Sequence, residues 1–126
     1  MSITKIRSFR DLFAWQEAHK LVLDIYTKTR NFPKEEMYGL VNQMRRCVVS
    51  VSSNIAEGFS RQSYLEKAHF YSMSQGSVTE LQNQLIIAND VHYISDELFQ
   101  VTYEQSVKVH KLLNGLIKKS KAIHNS

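Results

Sequence analysis

Residues 31–61 read NFPKEEMYGLVNQMRRCVVSVSSNIAEGFSR. Counting from Leu40, the apolar residues Met44, Val48, Val51 and Ile55 recur at steps of three and four, so a helix sets them on one face. Arg46, Ser50, Asn54 and Glu57 recur at the same steps along a line rotated by about 100°, at the edge of that face. Such a helix buries one stripe and offers a second to water or to another subunit. The polar stripe by itself specifies no reaction.

The flanking segments read the same way. Upstream, a helix is predicted from about Leu12 to Arg30, capped by Asp11, with Leu12, Trp15, His19, Val22 and Ile25 or Tyr26 at helical spacing. Asn31-Phe32-Pro33 ends it, because the residue before a proline is pushed out of the helical region. Pro33 suits the first position of the next helix, and Glu35 and Glu36 favour its positive end. Gly39 breaks that opening into a short turn before the main helix, and Gly58 is expected to close it in the left-handed conformation.

Downstream, Ser63-Tyr64-Leu65-Glu66 reads as a capping box opening a helix from about Tyr64 to Val91. Ala68, Tyr71, Val78, Leu81, Leu85 and Ala88 form its core stripe, beside a line of small or polar residues at Ser72, Gly76, Thr79 and Asn83. Ser95-Asp96-Glu97 caps a last helix whose Leu98, Val101, Gln105, Val109, Leu112 and Leu116 make one stripe, widened by Leu113 and Ile117. Four amphipathic helices joined by short connections predict an all-α, antiparallel up-down-up-down four-helix bundle, one domain over residues 1–126. Residues 1–10 and 122–126 are expected to be loosely ordered.

The totals agree. A chain of 126 residues with 43% hydrophobic and 22% charged residues has ordinary globular composition, and four glycines with one proline are too few turn residues for a many-stranded protein. Cys47 is the lone cysteine and sits within the apolar stripe, which reads as a small buried residue and rules out an intrachain disulfide. The start of the chain lacks the apolar segment of a secretory signal, and no apolar run reaches the roughly 18 residues that span a bilayer. A cytoplasmic protein without membrane contact is expected.

Net charge is +4, unevenly placed. Lys5, Arg7 and Arg10 precede the first acid, and the stretch from Lys108 onward holds five lysines and no acid. That asymmetry permits contact with phosphates or an acidic partner, although lysines at a helix carboxyl end also simply complement its dipole. The candidate phosphate-binding residues are Arg45, Arg46, Arg61 and Lys67 around the second and third helices, with Lys118, Lys119 and Lys121 on the fourth. No glycine-rich phosphate loop, nucleophile elbow or His-Glu-x-x-His pair occurs. Glu66 and His69 make a single Glu-x-x-His pair, whereas di-iron bundles need two. No catalytic residue, metal ligand or cofactor is assigned.

Phe32-Pro33, Glu36, Tyr38-Gly39-Leu40, Gln43, Arg45-Arg46, Ser50, Asn54-Ile55-Ala56-Glu57-Gly58 and Arg61, followed by Gly76-Ser77 and Glu80-Leu81, resemble the four-helix bundle family named after the 23S rRNA intervening-sequence protein. The family is in turn similar to the accessory variability protein of diversity-generating retroelements, a pentameric barrel that binds nucleic acid and a reverse transcriptase. The resemblance implies a homopentamer, with RNA or DNA as a candidate partner, and implies no catalytic activity. The modest charge here departs from the strongly basic retroelement protein.

Ser50, Asn54, Glu57, Gly76 and Glu80 are the candidates for a subunit interface or polar network. Glu57 precedes a helix end, where a carboxylate is unfavourable, so Arg45, Arg46 or Arg61 is expected to compensate it, either as a structural ion pair or as part of a ligand site. The function expected is a non-enzymatic oligomeric bundle associating with RNA or DNA through basic surface. The alternative is a scaffold that docks a partner protein.

Overall fold

The computed structural model describes residues 5–126, and among them only helices and turns occur. Helix α1 spans Phe13–Thr29, α2 Leu40–Ser60, α3 Tyr64–Asp90 and α4 Asp96–His124, with short 3-10 turns at Phe9–Asp11 and Lys34–Glu36. Each helix packs against its neighbour in the chain, and α1 closes the ring against α4, leaving α1 opposite α3 and α2 opposite α4. This is the up-down-up-down bundle that the sequence predicts.

Helix α2 carries the core as its spacing requires. Met44, Val48, Val51 and Ile55 are essentially inaccessible, and Cys47 is buried among them. Full burial of each such side chain contributes roughly 1.5–3 kcal/mol. Tyr71, Val78, Leu81, Leu85 and Ala88 of α3 face the same interior.

The first and last helices bear out part of the sequence reading, with Ile25, Val109, Leu113 and Ile117 buried as expected, and correct the rest. In α1 the buried stripe is Ala14, Glu17, Ala18, Leu21, Ile25 and Thr29, while Leu12, Trp15 and Val22 lie half-buried at its rim and His19 is exposed. In α4 it is Thr102, Ser106, Val109, Leu113, Ile117 and Ser120; Leu98 and Val101 are exposed, and Leu112 and Leu116 half-buried. Two of these interior hydroxyls have an acceptor: Thr102 Oγ1 donates to Asp24 Oδ2 at 2.7 Å, and Ser106 Oγ donates to the Tyr103 carbonyl.

The helix ends also differ in detail. Asp11 caps the Phe9–Asp11 turn rather than α1, its carboxylate accepting from the Arg7 and Ser8 amides at 2.8 and 3.1 Å. Gly39 does break the opening of α2, whose Leu40 amide donates to Glu36 Oε1. Gly58 does not close α2: the helix continues to Ser60, and Gly58 is a buried helical residue against Tyr71. Ser63 accepts from the Glu66 amide and starts α3.

The one left-handed residue among those described is His92, at φ 65°. It ends α3 in a Schellman arrangement, with the Tyr93 amide donating to the Ala88 carbonyl at 2.8 Å and the His92 amide to Asn89 at 3.0 Å. Helix α4 runs through His124, into the segment expected to fray, and the expectation for residues 1–10 falls in part on residues 1–4, outside the described residues.

Candidate functional site

The polar stripe of α2 meets α3 along a shallow groove. Ser50 Oγ lies 3.0 Å from Ser77 Oγ, Asn54 Nδ2 donates to the Ser50 carbonyl and hydroxyl at 2.9 and 3.1 Å, and the Cys47 thiol donates to the Ser77 carbonyl at 3.1 Å. Gln43, Arg46 and Glu80 line the same groove. Burial, and then the negative charge of Glu80, push the Cys47 thiol up to about 12. A neutral thiol of that kind is a poor nucleophile. The groove is therefore an internally satisfied helix contact with an exposed charged rim.

Glu57 receives its compensation from its own helix turn: Arg61 Nη2 stands 3.3 Å from Glu57 Oε1. The Arg61 guanidinium lies over the Phe70 ring, 4.6 Å from its centre. Arg45 is occupied elsewhere, donating to Thr29 Oγ1 at 2.9 Å and stacking over Tyr26, so it ties α2 to α1. Lys67 donates to the Phe59 carbonyl at 2.7 Å, capping the carboxyl end of α2, and burial holds its ammonium below the ordinary lysine range. Arg46, Lys118, Lys119 and Lys121 are exposed and form no ion pair among the described residues. Gly76 is exposed on α3, with open space where a Cβ would stand.

The fold joins what the sequence keeps apart. Because α1 and α4 run antiparallel as first and last helices, the residues that lead into α1 and the end of α4 share one pole of the bundle with the α2–α3 turn. A hollow there is lined jointly by Ile6, Leu12, Phe59, Tyr64, Lys67 and Lys119 among others. Lys5, Arg7, Arg10, Arg61, Lys67, Lys118, Lys119 and Lys121 gather at this end, against Asp11, Glu57 and Glu66. The opposite pole, where Tyr93 Oη donates to Glu36 Oε2 at 2.7 Å, holds Glu35, Glu36, Asp90, Asp96 and Glu97 against Arg30 and Lys34.

One polar cluster escaped the sequence reading. Glu17, 2% exposed, pairs with Lys108 and Lys20 at 2.8 Å each, and Gln105 Nε2 donates to its backbone carbonyl at 2.9 Å. Hydrogen bonds from Lys108 and then Lys20 outweigh burial and hold the carboxyl down to about 2. Only Lys20 is near it in sequence, so spacing could not reveal the pair with α4. Among the described residues no three His, Cys, Asp or Glu side chains converge as a metal site would need, and no helix is long and apolar enough to cross a membrane.

A family model described as 23S rRNA-intervening sequence protein matches residues 10–115. No curated protein matches the chain. Among solved structures, a protein of unknown function from the S23 ribosomal protein family of Bacteroides thetaiotaomicron VPI-5482 superposes with a TM-score of 0.77 at 19% identity, covering 83% of this chain and 95% of that one. At that identity the likeness is one of fold.

Proposed function

Because this chain belongs to the 23S rRNA-intervening sequence protein family, we propose that it acts as a non-enzymatic, self-associating cytoplasmic bundle that contacts RNA or DNA through its basic pole. The observation that carries this reading is the meeting of the two basic ends of the chain at one end of the bundle. A field of one sign concentrated on one surface attracts phosphates, whereas the same charge spread evenly would not. Lys118, Lys119 and Lys121 are the phosphate contacts in this reading, while Arg45 serves the fold and Arg61 and Lys67 are shared between fold and surface.

Self-association is part of the proposal. It is supported by the outer face of α3, where Ser72, Gly76, Thr79, Asn83 and Ile86 run exposed along one line. The homopentameric number rests on the resemblance alone. Light scattering after size exclusion tests it, and a monomer at micromolar concentration removes the ring.

The binding reading is tested by fluorescence anisotropy with labelled RNA and duplex DNA over a salt series. Affinity should fall steeply as salt rises, and Lys118→Gln, Lys119→Gln and Lys121→Gln should each lower the salt slope by about one unit with assembly intact. No retention at low salt would overturn it. The exposed apolar Met73, Ile86 and Ile87 of α3 would then favour the scaffold that docks a partner protein.

A further inference from the structure

Resting on the nucleic-acid reading above, we infer that the hollow at the basic pole receives one unpaired base of a single strand, with the adjoining phosphates on Lys67 and Lys119. The hollow has a volume of about 260 Å³. That lies just below the roughly 300–1,000 Å³ of pockets for drug-sized ligands, so it suits a single ring system rather than a longer segment. Leu12, Phe59 and Leu116 wall it, together with Tyr64 at the first turn of α3, a residue that is 41% exposed. An exposed aromatic ring beside apolar walls is the surface on which unstacked bases are held.

The charges complement that occupant. No carboxylate lines the hollow, and lysines from two different helices do. Lys67 Nζ sits 5.4 Å from the Phe59 ring centre and 5.7 Å from that of Tyr64, and gives one of its three N–H groups to the Phe59 carbonyl. Its other two remain for an acceptor at the mouth. Lys119 is exposed and unpaired among the described residues.

The other hollows lack the combination. The groove beside Leu65 and His69 carries Glu66, and the one over Phe70 carries Glu57. The hollow edged by Arg30, Lys34 and Arg45 has cations but lies beside Glu35 and Glu36, and its one aromatic ring, Phe32, is buried.

Strand preference is the discriminating measurement, because phosphate attraction alone favours the denser charge of a duplex. The probes are a short fluorescein-labelled single-stranded RNA and the duplex formed with its complement, titrated with the full chain at one salt concentration. The single strand should bind more tightly. Tyr64→Ala should weaken it by roughly five- to 150-fold, the loss of stacking on one base, and leave the duplex unchanged. Tyr64→Phe should restore the affinity. Lys119→Gln should weaken both probes, and circular dichroism checks that each variant is folded. If the duplex binds at least as well and Tyr64→Ala changes nothing, the base site is wrong while the basic pole stands. If neither probe is retained by the wild-type chain, both readings fail.

Discussion

Gly58 of α2 lies against Tyr71 of α3 so closely that a Cβ on the glycine would stand 2.8 Å from Tyr71 Cε1 and 3.1 Å from Phe70 Cβ. Tyr71 is 3% exposed and cannot swing away. Gly58→Ala gains about 1 kcal/mol of helix propensity but must displace a packed ring. The net outcome should be a loss of about 1–3 kcal/mol, read by urea denaturation, and an unchanged or raised midpoint would show that the helices separate freely there.

Gly76 and Gly115 make the opposite case. Both are helical and exposed, with nothing near the position of a Cβ. Alanine at either site should stabilise the isolated bundle by about 0.5–1 kcal/mol. If self-association uses the outer face of α3, Gly76→Leu should weaken the assembly seen by light scattering while Gly115→Leu leaves it intact. Equal behaviour of the two variants would move the contact elsewhere.

His92 adopts a left-handed conformation that costs a residue with a side chain roughly 1–2 kcal/mol. Glycine removes that cost and returns part of it as freedom of the unfolded chain. His92→Gly should therefore raise stability by about 0.5–1 kcal/mol in thermal unfolding. A loss of stability would mean that the imidazole makes a contact worth more than the strain.

Glu17 sets an acid-side limit on the fold. Its folded carboxyl is held at about 2, below the ordinary value of 4.5, so its contribution is complete above the unfolded value. That contribution is lost as pH falls from about 5 towards 2. The full effect is on the order of 2–3 kcal/mol. Glu17→Gln should lower stability at pH 7 and flatten the decline between pH 5 and 2. A variant with the same acid slope as the parent would place that slope on other carboxyls.

The α2 stripe was legible because Met44, Val48, Val51 and Ile55 are all large, apolar and correctly spaced. In α1 and α4 the same criterion found Ile25, Val109, Leu113 and Ile117 but otherwise chose the rim, since Leu12, Trp15, Leu98 and Val101 outweigh Ala14, Ala18, Thr102 and Ser106 in hydrophobicity. Those smaller residues lie inside, where Asp24 accepts the Thr102 hydroxyl. Gly58 followed a sound rule for helix ends, yet tertiary packing against Tyr71 decided its role. The two basic ends were visible as charge runs, but their meeting at one pole is a property of topology. Tyr64 carried no sequence signal beyond its place after Ser63, since a hollow exists only once four segments have converged.

The seam between α1 and α4 has a consequence for the order of folding. It joins positions 78 and 88 residues apart, through Thr102 to Asp24 and Gln105 to Glu17, whereas the other helix pairs are chain neighbours. Closing so long a loop costs entropy that the chain-neighbour pairs do not incur. Among the buried residues of α1, Ala14 and Ala18 are small and Glu17 and Thr29 are polar. Helices α2 through α4 should thus hold their amides longest in hydrogen exchange, with α1 opening first and carrying Ile6 and Leu12 away from Tyr64 and Lys119 as it goes.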